Sequence, residues 1–248
     1  MISKFFEFNQ EKEFKPIKSF YLKDELNPKI WNNFKLDDEI REDLLKIAND
    51  YVEHLDIGNI EIDDIIFTGS LSNYNWSEYS DFDIHVVFDF SKINKDEDLV
   101  KKYMDASRWI WNDQHDILIS GYEVELYSQN TSEQHTSSGQ FSLLNNKWIK
   151  KPTKEDFTPD EELIKSKASD IMFKIDDMES DLENDYNYEK LSEKVLKIWK
   201  KVKDNRQKGL DKEGEFSIEN LVFKLLRRYG YIKKLLDLKS KVYDKQFK

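Results

Sequence analysis

Apolar residues in the first half of the chain follow two different periods. From Asp38 onward they recur every three or four residues, which predicts an amphipathic helix that ends before Gly58. Residues 60–67 and 84–90 then predict two strands, because β-branched and aromatic residues dominate there and the second run alternates strictly. A second helix follows, and after it comes a third strand from about Ile117 to Tyr127. The apolar positions of the two helices are Ile40, Leu44, Ile47, Ala48, Tyr51, Val52 and Leu55, and Leu99, Val100, Tyr103, Met104, Ile110 and Trp111.

The second half of the chain carries only the helical period. Residues 128–152 are polar and predict a long loop, and the sequence Thr158-Pro159-Asp160-Glu161 predicts a helix start with Thr158 as its cap. Three helical patterns follow, the last of them from Ser217 to Tyr229. The pattern as a whole predicts an α+β protein with a small mixed β-sheet covered by helices (residues 1–152), followed by an all-α helical bundle (153–248).

The composition of the chain indicates the cellular compartment. The chain has 248 residues and no cysteine, which excludes disulfides and thiolate metal sites and indicates a reducing compartment. No run approaches about 18 consecutive apolar residues, and the first residues contain no signal-peptide core, so no membrane partner is expected. We therefore expect a cytoplasmic protein.

The net charge of −11 conceals an asymmetry along the chain. Residues 1–188 carry a net charge of −20, and residues 189–248 carry +9. The basic segment either attracts polyanions or complements the acidic part of the same chain. Because the acidic part would repel a long duplex, a short or single-stranded RNA is the nucleic acid that these charges accommodate.

The segment between the first two predicted strands carries the strongest candidate chemistry. Gly69-Ser70 directly follows the first strand, ten residues intervene, and Asp81-Phe82-Asp83 opens the second strand. Glycine permits a tight turn whose backbone N–H groups and neighbouring hydroxyl can approach phosphate oxygens. Carboxylates beside such a turn can hold the magnesium ions that neutralise the same phosphates. The pattern predicts a metal-dependent site for a nucleoside triphosphate.

Strand alternation sorts the acidic residues by face. Asp81, Asp83 and His85 share one face of the second strand, opposite an apolar face. Carboxylates at such a position need compensation by a metal ion, or by Lys or Arg. The third strand offers a further carboxylate, and we favour Glu125 because aliphatic strand residues flank it on both sides, with Glu123 as the second choice. A solvated acidic strand face is the alternative explanation.

These motifs resemble the signature of a known superfamily. The Gly69-Ser70 turn, the ten-residue gap, the Asp81-Phe82-Asp83 motif and a later strand carboxylate resemble the nucleotidyltransferase superfamily related to DNA polymerase beta. Leu26-Asn27-Pro28, the stretch from Thr68 to Asp83 and the stretch from Glu219 to Lys224 look, more closely, like uncharacterised phage-encoded predicted nucleotidyltransferases. That second resemblance implies the host cytoplasm as the location.

The resemblance implies a role for each residue of the motif. Gly69 and Ser70 would hold the triphosphate, Asp81 and Asp83 would coordinate two Mg²⁺ ions (or Mn²⁺), and Glu125 would bind the metal near the attacking hydroxyl. The implied reaction transfers a nucleoside monophosphate from an NTP to a hydroxyl of an RNA 3′ end, a small molecule or a protein, and releases pyrophosphate. The alternative is a non-catalytic nucleotide-binding or protein-interaction module on the same fold.

Several residues outside the acidic triad are further candidates. Ser80, directly before the first aspartate, is a candidate nucleotide ligand. His85 either touches the substrate or is an ordinary hydrogen-bonded strand histidine. Asn73 and Tyr74 either stack on a base or acceptor or pack to hold their loop. His135 lies in the polar loop after the third strand and is a candidate for contacting ribose or acceptor.

The basic bundle supplies candidates for the outer phosphates. The resemblance implies that a Lys or Arg of the helical domain binds the β- and γ-phosphates. Lys224 and Arg228 are spaced to share one side of a helix, so we name them for this role. Solvated surface charge is the competing explanation for these residues.

Overall fold

The computed structural model describes residues 15–134, 137–184 and 187–247. This part of the chain divides into two compact units, each with its own hydrophobic core. Leu22–Asp156 form the first unit, which contains the strands. The described residues before Leu22 join those from Phe157 onward in the second unit, which is helical. The division into independently folding domains stays a prediction.

The first unit is built on a mixed sheet. Its strands are β1 (Trp31–Asn32), β2 (Lys35–Leu36), β3 (Asp64–Thr68), β4 (Phe82–Phe88), β5 (Leu118–Ile119), β6 (Tyr122–Asn130), β7 (Gln140–Ser142) and β8 (Lys147–Lys150). The six strands from β3 onward form one sheet in the order β5-β6-β4-β3-β7-β8, and β1 and β2 form a separate hairpin. β4 pairs in parallel with β6 and antiparallel with β3. The predicted α+β class is confirmed.

Two helices accompany this sheet, α1 (Asp38–His54) and α2 (Glu97–Gln114), as the apolar periods predicted. α2 lies in the connection between the parallel strands β4 and β6, where a crossover is required. Its predicted apolar face is partly wrong, because Leu99 and Ile110 are 56% and 40% exposed. The reason is its position beside β6, where Asn112 accepts from the N–H of Leu126 at 3.1 Å and donates to its C=O at 3.2 Å. Only a narrow stripe of α2 is therefore buried.

The sheet also differs from the predicted one. The predicted third strand is a hairpin, since Ser120 and Gly121, with φ values of 52° and 87°, turn the chain between β5 and β6. Residues with positive φ at both central positions favour such two-residue turns. The polar stretch predicted as a loop contains β7 and β8, and Phe141 of β7 is buried in the core.

The described part of the second unit contains α3 (Glu161–Glu183), α4 (Tyr188–Glu213), α5 (Ile218–Arg228), α6 (Tyr231–Lys245) and two short 3₁₀ helices, Lys15–Phe20 and Gly214–Phe216. The predicted cap of α3 is wrong by two residues: Asp160 caps it by accepting from the N–H of Leu163 at 3.0 Å. α6 was not predicted, and Gly230, in the left-handed conformation, separates it from α5. Ile17 and Phe20 are buried in this helical core, although the sequence pattern placed residues 1–152 with the sheet.

Across the described ranges, no helix combines the length and the apolar character that a membrane crossing needs.

Candidate active site

β3 ends in a tight turn at Gly69. This residue has φ 79° and ψ −162°, a conformation that glycine adopts far more readily than other residues. A Cβ atom built on Gly69 would lie 1.8 Å from Oδ2 of Asp83 and 2.8 Å from its Cγ. Glycine is therefore required for two reasons: the backbone conformation, and the close approach of the Asp83 carboxylate to the turn.

Two buried side chains, those of Ser72 and Trp31, hold this turn in place. The hydroxyl of Ser72 lies 2.9 Å from the carbonyl oxygen of Gly69 and 3.0 Å from that of Gly139. The indole N–H of Trp31 donates to the carbonyl oxygen of Leu71 at 2.7 Å. The turn is thus fastened to the aromatic core of the first unit, and its backbone is positioned before any ligand binds.

The strand register brings three carboxylates to one point. Asp83 lies opposite Glu125 in the parallel pair β4–β6 and opposite Thr68 in the antiparallel pair β3–β4. Residues directly opposite on neighbouring strands project from the same face of the sheet. Asp81 directly precedes β4, and ligand oxygens of Asp81, Asp83 and Glu125 all lie within 4.8 Å of one another. All three side chains are half-buried.

The geometry separates the two candidate glutamates. Glu123 is exposed and pairs with Leu118 in the β5–β6 hairpin. Among the described residues it is Glu125, and not Glu123, that joins the two aspartates in the acidic cluster. The hydroxyl of Tyr127 donates a hydrogen bond to Oε2 of Glu125, so this carboxylate is also held in a fixed orientation.

The acidic cluster fits a hard divalent cation. Its donors are carboxylate oxygens, which Mg²⁺ and Mn²⁺ prefer. Oxygens of the three carboxylates lie within 4.8 Å of one another, which is close enough for bound cations to be shared among them. Thr68, opposite Asp83, is buried, and its hydroxyl has no hydrogen-bond partner within the described part of the chain. This orphaned hydroxyl indicates a place for a further polar partner.

A second layer of residues supports Glu125. The rings of His85 and Tyr127 stack with centroids 4.8 Å apart and planes 12° apart, and the guanidinium of Arg108 lies 5.0 Å from the Tyr127 ring centre. Burial, together with the charges of Asp83 and Glu125, raises the pKa of the Tyr127 phenol far above its usual value. The phenol therefore stays protonated and acts as a donor. Tyr127 was not singled out from the sequence, although its position two residues after Glu125 places it on the same face.

The loop after the turn arranges two hydroxyls. The hydroxyl of Ser70 donates to that of Ser80 at 2.7 Å, and Ser80 also accepts from the backbone N–H of Ser77 at 3.0 Å. These bonds link the residue after Gly69 to the residue before Asp81. The two hydroxyls thus occupy defined positions at both ends of the loop, and their role in binding a nucleotide stays a prediction.

Asn73 and Tyr74 are anchored by the surrounding structure. Asn73 is buried; its amide donates to the hydroxyl of Ser138, and its oxygen accepts from the N–H of Tyr74 at 2.8 Å. Tyr74 packs against the core of the first unit, and its carbonyl oxygen accepts from the N–H of Lys23 at 2.7 Å. These contacts hold the loop; a contact of either residue with a base or acceptor stays a prediction.

Three further candidates lie elsewhere in the chain. His135 lies outside the described residues. Lys224 and Arg228 belong to α5 in the helical unit. The Arg228 guanidinium donates to the carbonyl oxygen of Pro16 at 3.2 Å and lies 4.4 Å from the ring centre of Phe20, which fastens the N-terminal 3₁₀ helix to α5. Their predicted role at the outer phosphates is untested by these contacts.

Comparison with known proteins adds little to this geometry. No family model matches the chain, and no curated protein matches it. Among solved structures, the chain is similar to a STING-associated CdnE c-di-GMP synthase from Capnocytophaga granulosa, with 11% sequence identity over 98% of this chain and 92% of that one, and a TM-score of 0.23. A likeness of this size carries no argument about function, and none of the comparisons bears on a phage origin or on DNA polymerase beta.

Proposed function

We propose that the protein is a metal-dependent nucleotidyltransferase, which transfers a nucleoside monophosphate from an NTP to an acceptor hydroxyl and releases pyrophosphate. One observation carries this proposal. Carboxylates from Asp81, Asp83 and Glu125 converge within 4.8 Å, beside a glycine turn whose backbone lies directly against Asp83. A turn that approaches phosphates and a cluster that holds their counter-ions are both needed for phosphoryl transfer, and here they adjoin.

Each part of the site has a role in this proposal. Asp81, Asp83 and Glu125 would hold the Mg²⁺ or Mn²⁺ ions, which when bound neutralise charge on the attacking and leaving oxygens. The turn at Gly69 and the hydroxyl of Ser70 would position the triphosphate. The hydrogen bond from Tyr127 would hold the Glu125 carboxylate in place while it binds an ion. The protein contributes position and charge rather than covalent chemistry.

The proposed reaction is an in-line displacement at the α-phosphorus. The acceptor oxygen forms a bond to the α-phosphorus, and the bond from that phosphorus to the bridging oxygen breaks. Pyrophosphate leaves with the electron pair, and the hydroxyl proton passes to solvent or to a carboxylate of the site.

Pyrophosphate release tests the proposal directly. The purified protein is incubated with each NTP and Mg²⁺ or Mn²⁺, and turnover is compared with that of Asp83→Asn. Asp98→Asn is the matched control, because Asp96-Glu97-Asp98 repeats the same spacing in the first turn of α2 and away from the acidic cluster. We expect turnover in the wild type and the control, and none in Asp83→Asn.

Two results would contradict the proposal. Unchanged turnover in Asp83→Asn would show that the carboxylate is not part of the catalytic site. Binding of NTP without metal-dependent turnover would identify the protein as the non-catalytic nucleotide-binding module instead.

A further inference from the structure

The first unit contains a cavity of about 260 Å³ whose lining includes neighbours of the acidic cluster along β4 and β6. His85, Tyr127 and Gln129 line it from the sheet, and Lys101, Asp105 and Arg108 line it from α2. Tyr127 belongs to both places, because it lines the cavity and donates its hydrogen bond to Glu125. His85 and Tyr127 follow Asp83 and Glu125 by two residues on the same face of the sheet, so the Cα atoms of each such pair lie about 7 Å apart.

Gln129 offers this cavity a hydrogen-bond acceptor. Its side chain is 7% exposed, and its amide N–H donates to the carbonyl oxygen of Glu133 at 3.2 Å, which fixes the orientation of the amide. The amide oxygen has no hydrogen-bond partner among the residues that the structure describes. A buried acceptor of this kind costs stability unless a donor reaches it. Because Gln129 lines the cavity, a bound molecule with an O–H or N–H group would supply the missing donor where the side chains that cover this oxygen give way.

Arg108 offers hydrogen-bond donors on the opposite wall. Its guanidinium lies over the Tyr127 ring at 5.0 Å, and stacking uses the face of the group while its N–H donors point outward in its plane. Its ion pair with Asp105 is long, at 3.8 Å, and the side chain is 34% exposed. The cavity therefore presents donors and acceptors on facing walls.

The charges around the cavity balance. Lys101 forms an ion pair with Glu133, and Arg108 lies near Asp105, so two cationic and two anionic side chains line the space. A single-stranded nucleic acid requires a basic groove with exposed aromatic faces. Here the Tyr127 ring already stacks on His85, and the Arg108 guanidinium also lies against it, 5.0 Å from the ring centre. The lining fits a neutral polar molecule better than a polyanion.

We propose that this cavity is the acceptor subsite of the transferase and that it binds a small hydroxyl-bearing molecule, about the size of a sugar or polyol. The inference rests on the proposed function. A volume of about 260 Å³ lies below the range of about 300–1,000 Å³ that drug-sized ligands occupy. The hydroxyl oxygen of the bound molecule becomes bonded to the α-phosphorus as pyrophosphate departs, and its proton passes to solvent or a carboxylate.

Two variants in the cavity test the subsite. Gln129→Met removes the buried acceptor, and Arg108→Met removes the donors of a side chain that is 34% exposed. Gln114→Met, at the exposed end of α2, is the matched control. Each protein is incubated with α-labelled NTP and Mg²⁺, together with hexoses, pentitols and myo-inositol, with the low-molecular-weight fraction of a cell extract, or with a short single-stranded RNA. Mn²⁺ binding and thermal unfolding are measured in parallel.

We expect the wild type and the control to label a small hydroxyl compound. Both cavity variants should raise the KM for that acceptor by about tenfold or more, because each loses a hydrogen bond to it. In Gln129→Met, which changes none of the residues that support Glu125, the KM for NTP and the affinity for Mn²⁺ should stay unchanged.

The other outcomes overturn the subsite, and they separate it from the proposed function. Labelling of RNA alone, or labelling of a small compound that neither variant alters, contradicts the acceptor cavity and leaves the transferase intact. Pyrophosphate release without a labelled low-molecular-weight product also contradicts the acceptor cavity and leaves the transferase intact. If the wild type neither binds NTP nor releases pyrophosphate, the proposed function itself fails, and the subsite fails with it.

Discussion

Gly69 and Asp83 lie so close together that any side chain at position 69 would displace the carboxylate. A Cβ atom there would fall 1.8 Å from Oδ2 of Asp83. The end of β3 and the start of β4 are therefore matched to each other, and the turn and the acidic cluster form one structure.

Gly69→Ala should abolish activity while a matched glycine variant does not. The substitution adds about 1–2 kcal/mol of backbone strain and also displaces Asp83, and a misplacement of about 1 Å can cost about a hundredfold in rate. Gly121→Ala, at φ 87° with nothing within 4 Å of its Cβ, carries the strain alone. Turnover and urea unfolding of both variants provide the comparison. Equal activity of the two would contradict the account.

Tyr127→Phe should weaken metal binding and lower turnover by about 10–100-fold, as removal of a residue that orients a metal ligand usually does. The phenol that donates to Glu125 is lost, while the stack on His85 is kept. Tyr103→Phe is the control, because its phenol donates at 2.7 Å to the carbonyl oxygen of Leu55, which is not a predicted ligand. Full turnover by Tyr127→Phe would show that Glu125 needs no such support.

Ionisation of the Tyr51 phenol should lower the free energy of unfolding at alkaline pH. Burial raises the pKa of its phenol from 10.0 to about 12, although its hydrogen bond with Ser128 opposes the shift. Between these two pH values the Tyr51 phenol is ionised in the unfolded chain but not in the folded one. The free energy of unfolding therefore falls by about 1.4 kcal/mol per pH unit. The neutral Tyr51 phenol thus makes its full contribution to the free energy of unfolding below pH 10, and this contribution is lost as the pH approaches 12.

Tyr51→Phe isolates this effect. At pH 8 the variant should be less stable by about 1 kcal/mol, because the 2.8 Å hydrogen bond with Ser128 is lost. The difference should shrink and reverse above pH 10, since phenylalanine does not titrate. Denaturant unfolding of both proteins across this range measures it, and a difference that stays constant with pH would contradict the assignment.

Trp31→Phe should destabilise the first unit by about 1–3 kcal/mol. The change removes the N–H donor to Leu71 and reduces the volume of a ring that stacks on Trp148 at 4.6 Å. Trp109→Phe, 66% exposed on α2, should change stability by less than about 0.5 kcal/mol. Urea midpoints of the two variants test the difference, and similar midpoints would mean that the turn is not held by Trp31.

Much of the sheet and the acidic convergence could be predicted because strand alternation is a local property. Asp83 alternates with buried Phe82 and Ile84, and Glu125 alternates with buried Val124 and Leu126, so each carboxylate had to lie on the face away from the core.

Other features depend on contacts between distant segments. Gln140–Ser142 is a strand because it pairs with β3 on one side and β8 on the other, and its three residues carry no period of their own. The Tyr127–Arg108 contact joins β6 to α2, and no spacing in the sequence reveals it. The exposed flank of α2 is also a tertiary effect, since Asn112 brings the helix to the strand edge.

The central claim is that three carboxylates bind divalent cations together, and titration calorimetry of Mn²⁺ tests it most directly. Asp83→Asn and Glu125→Gln should each weaken binding by about 10–100-fold relative to the wild type. Glu123→Gln, from the same strand but outside the acidic cluster, should bind Mn²⁺ as the wild type does. Wild-type affinity in Glu125→Gln, or an equal loss in Glu123→Gln, would contradict the account.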